Sequence, residues 1–225
     1  MGSGHTDRTF EGELLQLRDR ILAMAGQVEQ MIRDAILALT SRDADLARRT
    51  IADDPKVNRA EVEIDELCVQ ILAKRQPVAS DLRFVTLALK MVTDLERIGD
   101  VAVNLCERAI SLADQPQANS TEGLSAMAEI VRAMVRDAID AFIESDAGKA
   151  HRVLERDDEV DELYHLQFRQ LLAEMRAHPE SIERGIALQS AAKYLERIGD
   201  HATNLAEHVL YLVEGQDMRH RGKLA

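Results

Sequence analysis

The hexapeptide Leu95-Glu-Arg-Ile-Gly-Asp100 occurs again, word for word, at Leu195–Asp200, and this duplication constrains the fold of the 225-residue chain more than any other feature. After each copy come an Asn, a Leu and a Glu: Asn104, Leu105 and Glu107, then Asn204, Leu205 and Glu207. Upstream, Met31-Ile-Arg-Asp-Ala-Ile36 aligns with Met134-Val-Arg-Asp-Ala-Ile139. The same offset aligns Asp43-Ala44 with Asp146-Ala147, Asp54 with Asp157 and Val57 with Val160. Chance does not readily place a six-residue identity inside a longer co-linear match. The chain is therefore two copies of a unit of roughly 100 residues.

Each copy divides into three segments with helical periodicity. The first runs from about Phe10 to Leu39, where Leu14, Leu17, Ile21, Met24, Val28, Met31, Ala35 and Ala38 recur at alternating steps of three and four. The second is expected from about Ala44 to Lys74, ending before Pro77, because proline disfavours helix in the residue ahead of it. The third is expected from an N-cap at Ser80 to about Ala113, with Val85, Ala88, Val92, Leu95, Ala102 and Ala109 on one seam. In the second copy Leu124, Met127, Val131, Met134, Ala138 and Ala141 repeat the first seam, and Ser181 is the expected cap of the last helix. Composition agrees: aromatic residues are 3%, Trp is absent, and Gly 11 and Pro 4 leave little material for a sandwich or barrel.

Short connections between long amphipathic helices favour antiparallel neighbours. The expected fold is all-α, two tandem three-helix bundles related by the internal repeat. The expected layout is a disordered tail over 1–9, a first bundle over 10–115, a linker over 116–123, a second bundle over 124–215 and a tail over 216–225. Pro116, Asn119, Ser120, Thr121 and Gly123 mark the linker. Gly99 and Gly199 fall inside helices, where Gly costs about 1 kcal/mol relative to Ala. Its recurrence at one place predicts close backbone approach to a neighbouring helix.

The formal net charge is −12, which argues against nucleic acid as a partner and suits cations. Cys68 and Cys106 lack CxxC spacing, so neither a disulfide framework nor a structural zinc site is expected. No run approaches the roughly 20 apolar residues of a membrane span. The first residues lack the basic and apolar regions of a signal peptide. A cytoplasmic protein without direct membrane insertion is the expectation.

The acids are patterned. Glu96, Asp100, Asn104 and Glu107 follow i, i+4, i+8, i+11 and fall within about 80° of one helical face. Glu196, Asp200, Asn204 and Glu207 do the same in the second copy. The second segment carries Asp54, Asn58, Glu61 and Asp65 at i, i+4, i+7, i+11; its counterpart begins Asp157, Asp161 but continues Tyr164, Phe168. If second and third helices pack side by side, two oxygen-rich stripes face each other. Such oxygen donors suit a hard cation, which would relieve their mutual repulsion. A solvated helix face is the plain alternative for any single stripe. His201 and His208 have no counterparts, Val101 and Arg108 standing there instead, and both are expected at the surface.

Catalytic signatures are missing: no phosphate loop, no G-x-S-x-G and no H-E-x-x-H. Only one Glu-x-x-His, Glu162 with His165, is present, where a di-iron oxidase of the ferritin type needs two. Binding is favoured over catalysis. The rivals are a carboxylate-bridged metal oxidase, a metal-free structural adaptor and a direct phosphate sensor.

The doubled Leu-Glu-Arg-Ile-Gly-Asp, together with Lys74-Arg-Gln-Pro-Val-Ala-Ser-Asp-Leu-Arg83, resembles the PhoU family of bacterial phosphate-transport accessory and regulatory proteins. The resemblance spans nearly the whole chain. It implies multinuclear metal clusters, of iron in the first place, with zinc, manganese or magnesium also possible. It places them on paired E(D)-x-x-x-D motifs, here Glu96 with Asp100, Glu196 with Asp200 and Asp157 with Asp161. The fourth pair departs, with Asp54 followed by Asn58; Asn offers a carbonyl oxygen but no charge. The resemblance further implies a non-catalytic negative regulator of phosphate uptake, often a homodimer. Its implied partners are the ATPase subunit of the phosphate ABC transporter and a phosphate-sensing histidine kinase.

Overall fold

The computed structural model describes residues 3–115 and 122–215, the side chains of 3–7 and 122 excepted. Its helices are α1 (Ser3–Ser41), α2 (Ala44–Ile51), α3 (Asp54–Arg75), α4 (Ala79–Leu112), α5 (Glu122–Glu144), α6 (Ala147–Ala177) and α7 (Ile182–Glu214), with one 3-10 turn at Pro179–Ser181 before α7. No strand occurs among the described residues.

The turn into the second segment is built alike in both repeats. Arg42 and Ser145 take positive φ, 57° and 54°, and reverse the chain. The next residue caps the following helix. Asp43 accepts a hydrogen bond from the Leu46 amide at 2.8 Å, and Asp146 accepts one from the Lys149 amide at 3.1 Å.

Several expected boundaries are corrected. The single helix expected over Ala44–Lys74 is broken at Ala52–Asp53. Pro55 has no N–H to donate, and its ring crowds the carbonyl four residues back, so the helix stops and restarts. Asp158 stands at the matching place in the second repeat, and α6 runs through unbroken. Helix α1 begins at Ser3, inside the tail expected over 1–9, since an established helix gains a hydrogen bond with each added residue. Met1, Gly2, 116–121 of the expected linker and the expected tail 216–225 lie outside the described residues; Glu122 and Gly123 belong to α5. Ser80 is inside α4, whose N-cap is the extended Val78. Ser181 does precede α7, but its hydroxyl donates to the His178 carbonyl at 2.7 Å.

Helices α1, α2–α3 and α4 form one bundle, and α5, α6 and α7 the other. The bundles join through α4 against α7, with α1 against α5 beside them. Arg83 lies over the Tyr211 ring, Asp94 meets Asn204, and Leu112 shares a small cavity with Leu188, so α4 and α7 run antiparallel. Ala102 and Ala109 of α4 and Ala202 and Ala206 of α7 are fully buried. Arg18 of α1 donates to the Phe142 and Ile143 carbonyls at 3.0 and 2.7 Å, satisfying the open end of α5 across the repeat boundary. One continuous core results, without Trp, through Leu17, Leu95, Leu105, Met134, Leu195 and Leu205.

Candidate functional site

The two glycines mark where the second and third helices of each repeat cross. A Cβ on Gly99 would stand 3.4 Å from Val57 Cγ1, and one on Gly199 would stand 3.8 Å from Val160 Cγ1. Close approach is therefore tighter in the first repeat; the second has ordinary contact distance to spare. At these crossings the acids of one helix meet those of the next.

In the first repeat Asp54, Glu61, Glu96 and Asp100 act on one another. Burial is the leading cause that raises the Asp54, Glu61 and Glu96 carboxyls above their ordinary values. The charge of Asp100 adds to it in all three, and Glu61 adds to Glu96. Burial also raises Asp65. Asn58 donates to Asp54 Oδ2 at 2.9 Å, which works against that rise. Asp54 Oδ1 and Asp65 Oδ1 are buried without a hydrogen-bond partner. Arg97, at the exposed rim, comes within 3.5 Å of Glu96 and 3.4 Å of Asp100.

In the second repeat Asp157 and Asp161 of α6 face Glu196 and Asp200 of α7. Burial first, then Glu196 and Asp157, push the Asp200 carboxyl up to about 6. Asp157 is raised too, by burial and then by Asp161, Asp158 and Glu196, against a hydrogen bond from Thr203. Lys193 reaches Glu196 Oε1 at 2.5 Å, while Oε2 is buried without a partner. Tyr164 and Phe168 replace the acids found at 61 and 65, and Lys193 lies over the Tyr164 ring.

The structure thus places Glu96, Asp100, Asp54 and Asn58 along one crossing and Glu196, Asp200, Asp157 and Asp161 along the other. It leaves out other members of the stripes. Asn204, at the edge of the 80° arc, turns to the inter-repeat contact and donates to Asp94 Oδ1 at 3.1 Å. Asn104 donates to the Asp100 carbonyl on its own helix at 2.9 Å. Glu107 is exposed beside Arg108, and Glu207 is half-buried two turns beyond Asp200.

The largest correction concerns the histidines. Neither is a surface residue: the His201 and His208 side chains are 18% and 10% exposed and grip Asp94. His201 Nδ1 is 2.9 Å from Asp94 Oδ1, and His208 Nε2 is 3.0 Å from Oδ2. Burial alone would raise the Asp94 carboxyl; the hydrogen bonds from His201, His208 and Asn204 together outweigh it and bring it down to about 2. The signal was present in the spacing of His201, Asn204 and His208 at i, i+3, i+7, opposite one acid among Met91, Val92, Leu95 and Ile98.

Chemically, the two crossings are oxygen-only donor sets with buried oxygens left unpaired, which fits a hard cation. Among the described residues, no three His, Cys, Asp or Glu side chains stand close enough together to hold a metal ion as they are. Like charges hold one another apart, and a bound cation would draw them in.

Two three-helix bundles in tandem, each with an acid pair facing an acid-rich neighbour helix, define a two-repeat helical protein with one acidic crossing per repeat. The chain belongs to the PhoU family, whose PhoU domain matches residues 21–109 and 124–209. It is 44% identical over 221 residues to the phosphate-specific transport system accessory protein PhoU homolog of Pseudomonas putida, covering 97% of this chain and 86% of that one. It is 40% identical over 218 residues to the Escherichia coli K12 accessory protein PhoU, covering 97% and 90%. The crystal structure of PhoU from Pseudomonas aeruginosa superposes with a TM-score of 0.89 at 42% identity, covering 92% of this chain and all of that one. The phosphate transport system regulatory protein PhoU from Streptococcus pneumoniae gives 0.86 at 30% identity, covering 93% and 99%. No helix among the described residues is long and apolar enough to cross a membrane.

Proposed function

We propose that this chain is a non-enzymatic accessory and regulatory protein of phosphate-specific transport that works as a cation-binding helical adaptor. Near full-length similarity to proteins named for that transport system supports the phosphate role. The observation that carries cation binding is the pair of buried, unpartnered carboxylate oxygens at Asp54 and Glu196, one at each crossing and each amid raised acids. Asp54, Glu96 and Asp100, with the neutral Asn58, would hold the ion in the first repeat. Asp157, Asp161, Glu196 and Asp200 would hold it in the second. Iron is the leading candidate in a multinuclear cluster, with zinc, manganese or magnesium behind it. Bound there, it supplies positive charge that cancels the repulsion across each crossing. The helices then keep one spacing, and the faces they offer to partners are fixed. Those partners are the ATPase subunit of the phosphate ABC transporter and a phosphate-sensing histidine kinase, both held in check by a cytoplasmic homodimer.

Elemental analysis of wild type, Glu96→Ala/Asp100→Ala and Glu196→Ala/Asp200→Ala tests the cation part. Several metals per chain, lost repeat by repeat, is the expected result; none above background in wild type overturns it. A reporter of phosphate-starvation genes tests the rest. Deleting the gene is expected to leave the reporter on in phosphate-rich medium, and an unchanged reporter refutes negative regulation. A metal-free adaptor is the second reading, favoured by the want of three gathered ligands among the described residues.

A further inference from the structure

We infer that Thr203 is a positioning residue for the second acidic crossing, and that it makes the two repeats unequal in cation affinity. Its Oγ1 lies 3.2 Å from Asp157 Oδ1 and 3.1 Å from the Gly199 carbonyl, so one hydroxyl proton is shared between a carboxylate of α6 and the backbone of α7. This bond ties Asp157 to the helix that carries Glu196 and Asp200. It fixes the plane of the carboxylate and leaves most of its acceptor sites open.

The first repeat has no such tie. Val103 occupies the position of Thr203, and Asp54 Oδ1, the oxygen of the matching Asp, has no partner. The hydrogen bond that Asp54 does receive comes from Asn58, one turn along its own helix, and cannot link α3 to α4. A carboxylate steadied from across the crossing has less freedom to lose when a cation arrives. Hydrogen bonds behind a metal ligand of this kind are worth about 10–100-fold in affinity. The second repeat therefore fills first.

This inference rests on the cation-binding reading, and the test separates the two. Full-length protein is titrated with Mn2+, followed by calorimetry and by the loss of the free-ion electron paramagnetic resonance signal. Each repeat is read alone in a background that disables the other, Glu96→Gln/Asp100→Asn or Glu196→Gln/Asp200→Asn. In the first background, Thr203→Val is expected to weaken Mn2+ binding about 10–100-fold. Thr203→Ser is expected to restore it, with the cation-free melting temperature of all three proteins alike. Unchanged affinity in Thr203→Val, or a loss that Thr203→Ser shares, overturns the positioning role and leaves cation binding standing. Wild type that takes up no Mn2+ overturns both.

Discussion

Asp94→Asn is the most informative single change, because it removes one charge and almost nothing else. The side chain is 14% exposed and sits where α4 meets α7, accepting from His201, Asn204 and His208. Its carboxyl falls from an ordinary 3.8 to about 2 on folding. At somewhat over 1 kcal/mol per pKa unit, ionised Asp94 stabilises the fold by roughly 2–3 kcal/mol. The folded value lies below the unfolded one, so this stability is fully present above pH 3.8 and disappears as pH falls through about 2. Asparagine has the shape of the protonated acid. Urea unfolding at pH 7 should therefore show Asp94→Asn less stable by roughly 2–3 kcal/mol, a melting temperature lower by about 4–12 °C for a chain of this length. The penalty should halve by about pH 3. A loss under about 0.5 kcal/mol at pH 7, or a penalty equal at both pH values, would show that the contact contributes shape rather than charge.

Asp200 should behave in the opposite sense. Its folded value is raised to about 6, so the stability tied to it is full below pH 3.8 and lost as pH rises through about 6. Cation-free protein should melt higher at pH 5 than at pH 7, and Asp200→Asn should raise the pH 7 melting temperature by about 2–4 °C; a flat profile in wild type refutes the repulsion. Gly199→Ala should stabilise by about 0.5–1 kcal/mol, because its methyl meets nothing nearer than 3.8 Å, whereas Gly99→Ala should gain less against Val57 at 3.4 Å. Equal gains in urea would show that neither crossing is close. Arg18→Ala frees two carbonyls at the end of α5 and should cost about 1–2 kcal/mol, read as a lower melting temperature. No change would mean that solvent serves those carbonyls equally well.

Much of the molecule was legible in the residues alone. Heptad spacing announced long helices, and the doubled hexapeptide announced two copies, because periodicity and repetition are local properties of a chain. The E-x-x-x-D pairs could be placed on one face by helical geometry, and both crossings assemble them as that geometry implies. Pro55 could have been read as a break, since its missing N–H is also local, yet the apolar spacing ran across it. Beyond that reach lay everything set by which helix face meets which. Asn204 shares the stripe of Glu196 and Asp200 in sequence, but its place at the edge of the arc turned it to α4. His201 and His208 looked solvated because nothing along the chain pairs with them; their partner is more than 100 residues away. The residues already make the repeats unequal, with Asn58 against Asp161 and Val103 against Thr203, and the tertiary structure decided where those differences act. Antiparallel packing of α4 on α7 sets Asp94 against histidines that the first repeat lacks, and the α6–α7 crossing sets Thr203 on Asp157 where Val103 leaves Asp54 Oδ1 without a partner. A sequence determines what each helix can present, through spacings of three and four. Only the packed molecule decides which of those faces is buried against another, because that choice is a sum of contacts between segments far apart in the chain.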